Sequence, residues 1–268
     1  MILALMMTYQ CNFHCRHCMV DSSHEYSCVS DKVIERFFKT LDIIKPDWVY
    51  LIGGEVLLHI ELLEKIIPEI KKKCTNIMVF SNGTFLLNDA LTNRVNALNI
   101  TIRISDDRFH REQWNDTLRE RILSSPYIIV RPPDESEDES GGFMIPVGRA
   151  YEEFKHLKRN LGCSLLTGNY DEEYKNHHRI MIMMNGDVNL YCATIEGALA
   201  NVFEDDVTYE LLVRRERILH NYLYREVIHS EEDKYMATLC NMCQKYKVNA
   251  NNIIYDGKVV ASVSDYSE

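Results

Sequence analysis

Cys11, Cys15 and Cys18 stand in a C-x3-C-x2-C array directly after the apolar run 2–7. Three thiolates that close can hold one compact, soft metal centre. A structural zinc ion takes four tetrahedral protein ligands, so three cysteines leave it one short. A cubane iron–sulfur cluster held by three cysteines keeps one iron open to a small molecule. A zinc knuckle and three unrelated thiols are the competing readings of the array alone. A second set, Cys163, Cys192, Cys240 and Cys243, follows later, its last two members spaced as C-x2-C. Four thiols would saturate an electron-transfer cluster or a structural zinc. Cys163 follows Gly162 in a turn and can equally be a free thiol. Cys28 and Cys74 fit neither array and read as small buried residues.

Elements that could position these groups are legible in the first half. Short apolar strands are expected at 2–7, 48–52, 76–80, 100–104 and 127–130. Amphipathic helices fill the intervals, with Ser30 as a helix cap followed by Asp31 and Glu35 near the positive end. Such alternation implies parallel β/α units, whose chemistry gathers at the carboxyl ends of the strands. There lie the cysteines after strand one and Gly53-Gly54-Glu55 after strand two. Ser81-Asn82-Gly83-Thr84 follows strand three, Ser105-Asp106-Asp107 strand four, and Arg131 strand five. Paired glycines let a backbone come close to a ligand, and a carboxylate can pair with an ammonium. Residues 81–84 are also a good turn in their own right. Asp107 and His110, with Arg108 between them, put acid, base and imidazole in one loop suited to a polar substrate; a plain solvated loop is the alternative. Arg149, in Gly148-Arg149-Ala150, suits recognition of a carboxylate or hydroxyl, or a surface ion pair.

These motifs together resemble the radical S-adenosylmethionine (radical SAM) enzymes. In that family the open iron chelates S-adenosylmethionine, whose reductive cleavage gives a 5′-deoxyadenosyl radical that abstracts hydrogen from a substrate. The resemblance implies metal ligation by Cys11, Cys15 and Cys18 and a cofactor site that includes Gly53, Gly54, Glu55, Ser81, Asn82, Ser105, Asp106 and Arg131. It places the aromatic contact at Phe13 and His17, since His17 occupies the position before Cys18 that usually carries an aromatic. Val56 stands where proline often follows the glutamate. Asp107, His110 and Arg149 are the candidates for substrate chemistry.

The second cysteine set resembles the twitch domain, a shortened SPASM domain with one auxiliary [4Fe–4S] cluster. A β-hairpin over 179–191 with an Asn-Gly turn leads to Cys192, and a helix pair over 207–229 leads to Cys240 and Cys243. The expected architecture is α/β: a partial (β/α)6 TIM-like barrel over 1–150, then a smaller α+β twitch domain over 151–268. The implied function is hydrogen abstraction with a net two-electron oxidation, as in small-molecule dehydrogenation, or modification of a ribosomally made peptide. An electron donor such as flavodoxin or ferredoxin is implied. A chain start at strand one, without a preceding peptide-recognition domain, favours a small molecule or a peptide delivered by another protein. A non-catalytic adaptor with two zinc sites is the reading from another class.

Composition bounds these options. The chain has 268 residues, 46% of them hydrophobic and 26% charged, enough for one large domain or two modest ones. Net charge of −10 argues against a nucleic-acid backbone footprint. No apolar run approaches the ~18 residues of a membrane span, and the N-terminal run lacks the flanks of a signal peptide. Nine cysteines, seven of them in the two metal-type arrays, suit a reducing cytoplasm. The acidic run at 134–140 reads as a solvated loop.

Overall fold

The structure is a computed structural model that describes residues 1–25, 28–130, 148–154, 179–190, 198–230, 243 and 245–267. Strand β1 (Ile2–Thr8) leads into the cysteine loop, then α1 (Asp31–Ile44), β2 (Trp48–Gly53), α2 (Ile60–Lys71), β3 (Ile77–Ser81) and α3 (Asp89–Ala97). Strand β4 (Thr101–Ser105) is followed by α4 (Arg108–Arg111), α5 (Asp116–Leu123) and β5 (Ile128–Val130). Helix starts follow local chemistry: Ser30, Asn88 and Asn115 each accept a backbone N–H of the first turn. The Asn115 cap sets the start of α5 at Asp116.

Alternation along each strand sends one set of side chains beneath the helices and the other to the opposite face. Leu3, Leu5, Met7, Val49, Leu51, Ile77, Val79, Ile102 and Ile104 join the helix-side core with Phe37, Leu41, Leu63 and Ile67. Ala4, Met6, Tyr50, Met78, Met181 and Met183 form a second cluster on the other face.

The sheet order is β5-β4-β3-β2-β1-β6-β7-β8. Strands β1 to β5 are parallel, and β6 (Arg179–Ile182) adds a sixth parallel strand beside β1, Leu3 opposite Ile180. The expected hairpin exists as β6 and β7 (Asp187–Leu190), turning at Gly186 with φ +87°. It extends the main sheet, a long-range pairing that no local pattern announces. Strand β8 (Ala200–Asn201) ends this sheet. Helix α6 (Arg149–Phe154) packs back on the cysteine loop, and β9 (Tyr246–Val248), β10 (Asn252–Tyr255) and β11 (Lys258–Ser262) make a separate antiparallel sheet. The helix pair expected over 207–229 is one helix, α7 (Tyr209–Tyr222), continued by a π-turn at Leu223–Val227. Among the described residues, no helix is long and apolar enough to cross a membrane.

Helix α7 carries a titratable core group. Glu216 is 7% exposed, its Oε2 lacks a hydrogen-bond partner, and burial pushes its carboxyl up to about 7 against the opposing charge of Arg217. The folded chain therefore holds this proton more tightly than the unfolded chain. The contribution is full below about pH 4.5 and is lost as pH rises towards 7. Burial drives His220, one turn on, down to about 3, which makes the opposite contribution between that value and 6.5. Comparing wild type with Glu216→Gln isolates the glutamate. Urea unfolding is expected to show the variant gaining stability relative to wild type by on the order of 3 kcal/mol from pH 4.5 to 8. A pH-independent difference would contradict the assignment.

Candidate metal centre and active site

The cysteine loop is folded on itself before anything binds it. Cys11 N donates to Ser23 O (2.8 Å), Ser23 N to Tyr9 O (3.1 Å) and Val29 N to Met7 O (2.7 Å). Cys11 and Cys15 are buried, Cys18 is half-buried, and all three are free thiols. Phe13 packs into the helix-side core with Cys11 and Cys15 and anchors the loop.

Gly53 and Gly54 explain how the end of β2 reaches this loop. Gly54 N donates to Thr8 O and Glu55 N to Gln10 O, both at 2.8 Å. A Cβ on Gly53 would stand 2.5 Å from Thr8 O, and one on Gly54 would stand 2.2 Å from Gln10 O. The close approach these glycines permit is to the backbone carrying the cysteines.

The donor set fits an iron–sulfur centre. Phe13 N donates to Cys11 Sγ (3.4 Å), Ser22 N to Cys18 Sγ (3.3 Å), and Asn82 Nδ2 reaches Cys11 Sγ at 3.8 Å. Such N–H···S contacts suit sulfur that carries charge. Burial pushes the metal-free Cys11 thiol up to about 11 and Cys15 to about 12, so the protein alone does not ionise them. Metal coordination does. Cys28 and Cys74 point away, donating to backbone carbonyls of Met7 and of Asp47 and Asn76.

Glu55 is 1% exposed and lies at the junction of β2 and β3. Its Oε1 accepts from Leu57 N (3.1 Å) and Ser81 Oγ (3.0 Å), and its Oε2 from Asn82 N (2.7 Å). Burial pushes this carboxyl up to about 6 although these donors pull it down. Ser81 and Asn82 are thus engaged within the protein. Asn82 Nδ2 also donates to Asn12 Oδ1 (2.8 Å), and Asn12 Nδ2 donates to Thr84 Oγ1 (2.8 Å). Asn12 is a positioning residue that the sequence did not flag; its only signal was its place inside the cysteine array.

At the end of β4, Asp106 is 1% exposed and meets Arg111 at 3.5 Å, while Ser105 is half-buried on the face opposite the helix-side core. Asp107 caps α4 through Phe109 N and His110 N, both at 3.0 Å. Its other oxygen bonds His110 Nδ1 (2.6 Å) and pairs with His17 Nε2 (3.5 Å). Burial works against its charge, but the two imidazoles outweigh burial and hold the carboxyl far below its usual range. His17 stacks on Phe109 (4.6 Å between centroids, 16° between planes) and meets His110 edge-on (5.1 Å). The loop before Cys18 and the loop after β4 are thereby joined. The His17 Nδ1 atom is buried without a partner. The ligand atoms of His17, Asp107 and His110 lie within 4.8 Å of one another, close enough to share a proton or an ion.

Arg149, expected to meet substrate or cofactor, spends its guanidinium on the cysteine loop. It donates to Cys15 O at 2.8 Å and to Ser22 O, and pairs with Asp21 at 3.0 Å. Its neighbours complete the clasp. Gly148 has φ +60°, a Cβ there would lie 2.5 Å from Met19 O, and Ala150 N donates to Cys18 O (3.2 Å). Of the second cysteine set, Cys243 is half-buried against the core. Cys163, Cys192, Cys240 and Arg131 lie outside the described residues.

Comparison with known proteins places this arrangement. The chain is 33% identical over 88 residues to the antilisterial bacteriocin subtilosin biosynthesis protein AlbA of Bacillus subtilis (strain 168). That match covers 32% of this chain and 19% of AlbA, so the chain spans about a fifth of that relative. Among solved structures, BtrN in an open conformation gives a TM-score of 0.48 at 14% identity, covering 83% of this chain and 84% of BtrN. The enzyme anSMEcpe with bound AdoMet and the Cp18Cys peptide gives 0.47 at 15% identity, covering 79% of each chain. The profile of the Radical SAM superfamily matches residues 5–124, a span that contains the cysteine loop, Glu55, the Ser81–Asn82 turn and Asp107. Over that stretch, a little under half of its length, the chain is similar to the Radical SAM superfamily.

Proposed function

We propose that this protein oxidises its substrate by hydrogen abstraction, with Cys11, Cys15 and Cys18 as the ligands of the cofactor-binding cluster. The observation that carries the reading is the cysteine loop: three free thiols with N–H donors on Cys11 and Cys18, clasped by Gly53-Gly54 on one side and Gly148-Arg149-Ala150 on the other. When bound, the cluster supplies the electron that cleaves S-adenosylmethionine into methionine and a 5′-deoxyadenosyl radical. The chain's own residues bind, orient and move protons.

Glu55, Ser81 and Asn82 set the β2 and β3 ends against the loop, and Ser105 and Asp106 line the next strand end. The His17–Asp107–His110 group is a relay at that mouth. A substrate radical formed there must lose a proton and one further electron to become the oxidised product. The imidazole of His110, held by Asp107, can take the proton. Cys163, Cys192, Cys240 and Cys243 would hold an auxiliary [4Fe–4S] cluster, which would supply an acceptor for that electron, and a flavodoxin or ferredoxin is the proposed electron donor. Likeness to AlbA, a bacteriocin biosynthesis protein, supports a peptide as substrate; dehydrogenation of a small molecule is the other form of the same chemistry.

Anaerobic reconstitution with iron and sulfide is expected to give a brown protein with about eight irons, four per cluster. With a reductant and S-adenosylmethionine it should release 5′-deoxyadenosine. Cys15→Ala should remove about four irons and all of that product, and Cys243→Ala should remove about four irons from the other site. A colourless protein holding two zinc ions would overturn the reading in favour of a binding adaptor.

A further inference from the structure

The face of the sheet opposite the helices carries a charge pattern that the cluster chemistry does not use. Ile102 and Ile104 turn to the helix-side core, and so do Ile180 and Ile182. By alternation, Arg103 of β4 and Arg179 of β6 share the other face with Met6, Tyr50, Met78, Met181 and Met183.

The two arginines flank an aromatic pair. Arg179 Cζ lies 5.3 Å from the Tyr50 ring centroid, Tyr50 and Phe80 are 5.4 Å apart, and Arg103 Cζ lies 5.3 Å from the Phe80 centroid. Stacking engages the flat face of a guanidinium and leaves its edge N–H groups to find acceptors. The Nε atoms of both are buried and find no partner among the described residues. Several other arginines among the described residues meet carboxylates. Arg94 grips Glu61 and Glu64, Arg121 meets Asp89, and Arg215 meets Asp205. Arg103 and Arg179, both half-buried, meet no carboxylate among the described residues. Burial lowers the affinity of Arg179 for its proton, and the nearby charge of Arg103 lowers it further.

We infer that Arg103 and Arg179 bind a carboxylate of the substrate, whose apolar body lies against Tyr50, Phe80 and the methionines. A guanidinium edge matches a carboxylate, one such edge stands at each end of the aromatic pair, and thioether walls adapt to varied apolar shapes. Arg103 precedes Ser105 by two residues, so the anchor sits about 7 Å along β4 from the strand end. The identity of this ligand as substrate rests on the proposed function; the carboxylate site does not.

The test is calorimetric titration of the cluster-loaded chain with 3-phenylpropionate, 3-phenylpropionamide and inorganic phosphate. The acid is expected to bind at least about tenfold more tightly than the amide or phosphate, as a charge-assisted contact requires. Arg103→Gln and Arg179→Gln should each weaken the acid at least about tenfold, with Arg103→Lys between them and wild type. Equal binding of acid and amide, phosphate binding as tightly as the acid, or folded variants that bind like wild type would each overturn the inference. The acid–amide comparison needs no variant, so a variant that fails to fold leaves the test intact. Wild type that makes 5′-deoxyadenosine but ignores the acid defeats this inference alone. Wild type that binds the acid but never makes 5′-deoxyadenosine defeats the functional proposal alone.

Discussion

Gly54→Ala is expected to leave the chain folded but strip the cysteine loop of its iron. The added Cβ would lie 2.2 Å from Gln10 O, 2.7 Å from Gln10 C and 3.0 Å from Cys11 Cβ. None of these atoms can rotate away, since two are backbone and the third is fixed to it. The end of β2 must therefore withdraw from the loop, breaking Gly54 N→Thr8 O and Glu55 N→Gln10 O. Overpacking costs about 1–3 kcal/mol, and each lost bond adds about 1 kcal/mol. A shift of about 3 kcal/mol is on the order of a hundredfold in the stability of the assembled loop. Iron content and visible absorption after anaerobic reconstitution should fall to the level of the Cys15→Ala protein. Gly257→Ala is the control: it also changes a glycine, at φ +74°, but a Cβ there has no neighbour within 4 Å. It should cost some stability through its backbone angle and no iron. Full iron occupancy in a folded Gly54→Ala protein would show that the glycines do not serve the loop.

That prediction marks how far the sequence could be read. The cysteine spacing, Gly53-Gly54-Glu55 and the strand–helix alternation are local patterns, and they led to the right ends of the right strands. The purpose of the glycines was less legible. Their approach is to residues more than forty positions earlier in the chain, and nothing near residue 54 announces that partner. The same holds for Asn12, whose amide meets Asn82 seventy residues on. An aromatic beside cysteines looks the same in sequence whether or not it packs into the core, as Phe13 does. Strand β6 was recognised as half of a hairpin, but its place beside β1 follows from burial on both faces of β1, a property of the assembled sheet. Arg103 and Arg179 drew no notice as single charges in strands; only the sheet puts them on one face with the same aromatic pair.

Arg149 offers the sharpest separation between what its residue type suggests and what its surroundings require. An arginine after glycine at a strand end reads as a contact for substrate. In the structure it bridges Cys15 O and Ser22 O, two carbonyls on either side of Cys18, and pairs with Asp21. Arg149→Met keeps length and apolar bulk but leaves both carbonyls without their donor. Each lost bond to a charged donor is worth about 1.5–3 kcal/mol, so the loop should open on the order of a hundredfold more often. The expected result is a protein that takes up the cluster but loses it at least about tenfold faster to an iron chelator, followed by visible absorption. Arg149→Lys can reach one carbonyl at a time and should fall between the two. A substrate-contacting arginine predicts something else: wild-type cluster retention in both variants, with the defect confined to the KM for substrate. Chelator kinetics separate the two roles without knowledge of the substrate, because the loop's grip on its metal is measured directly.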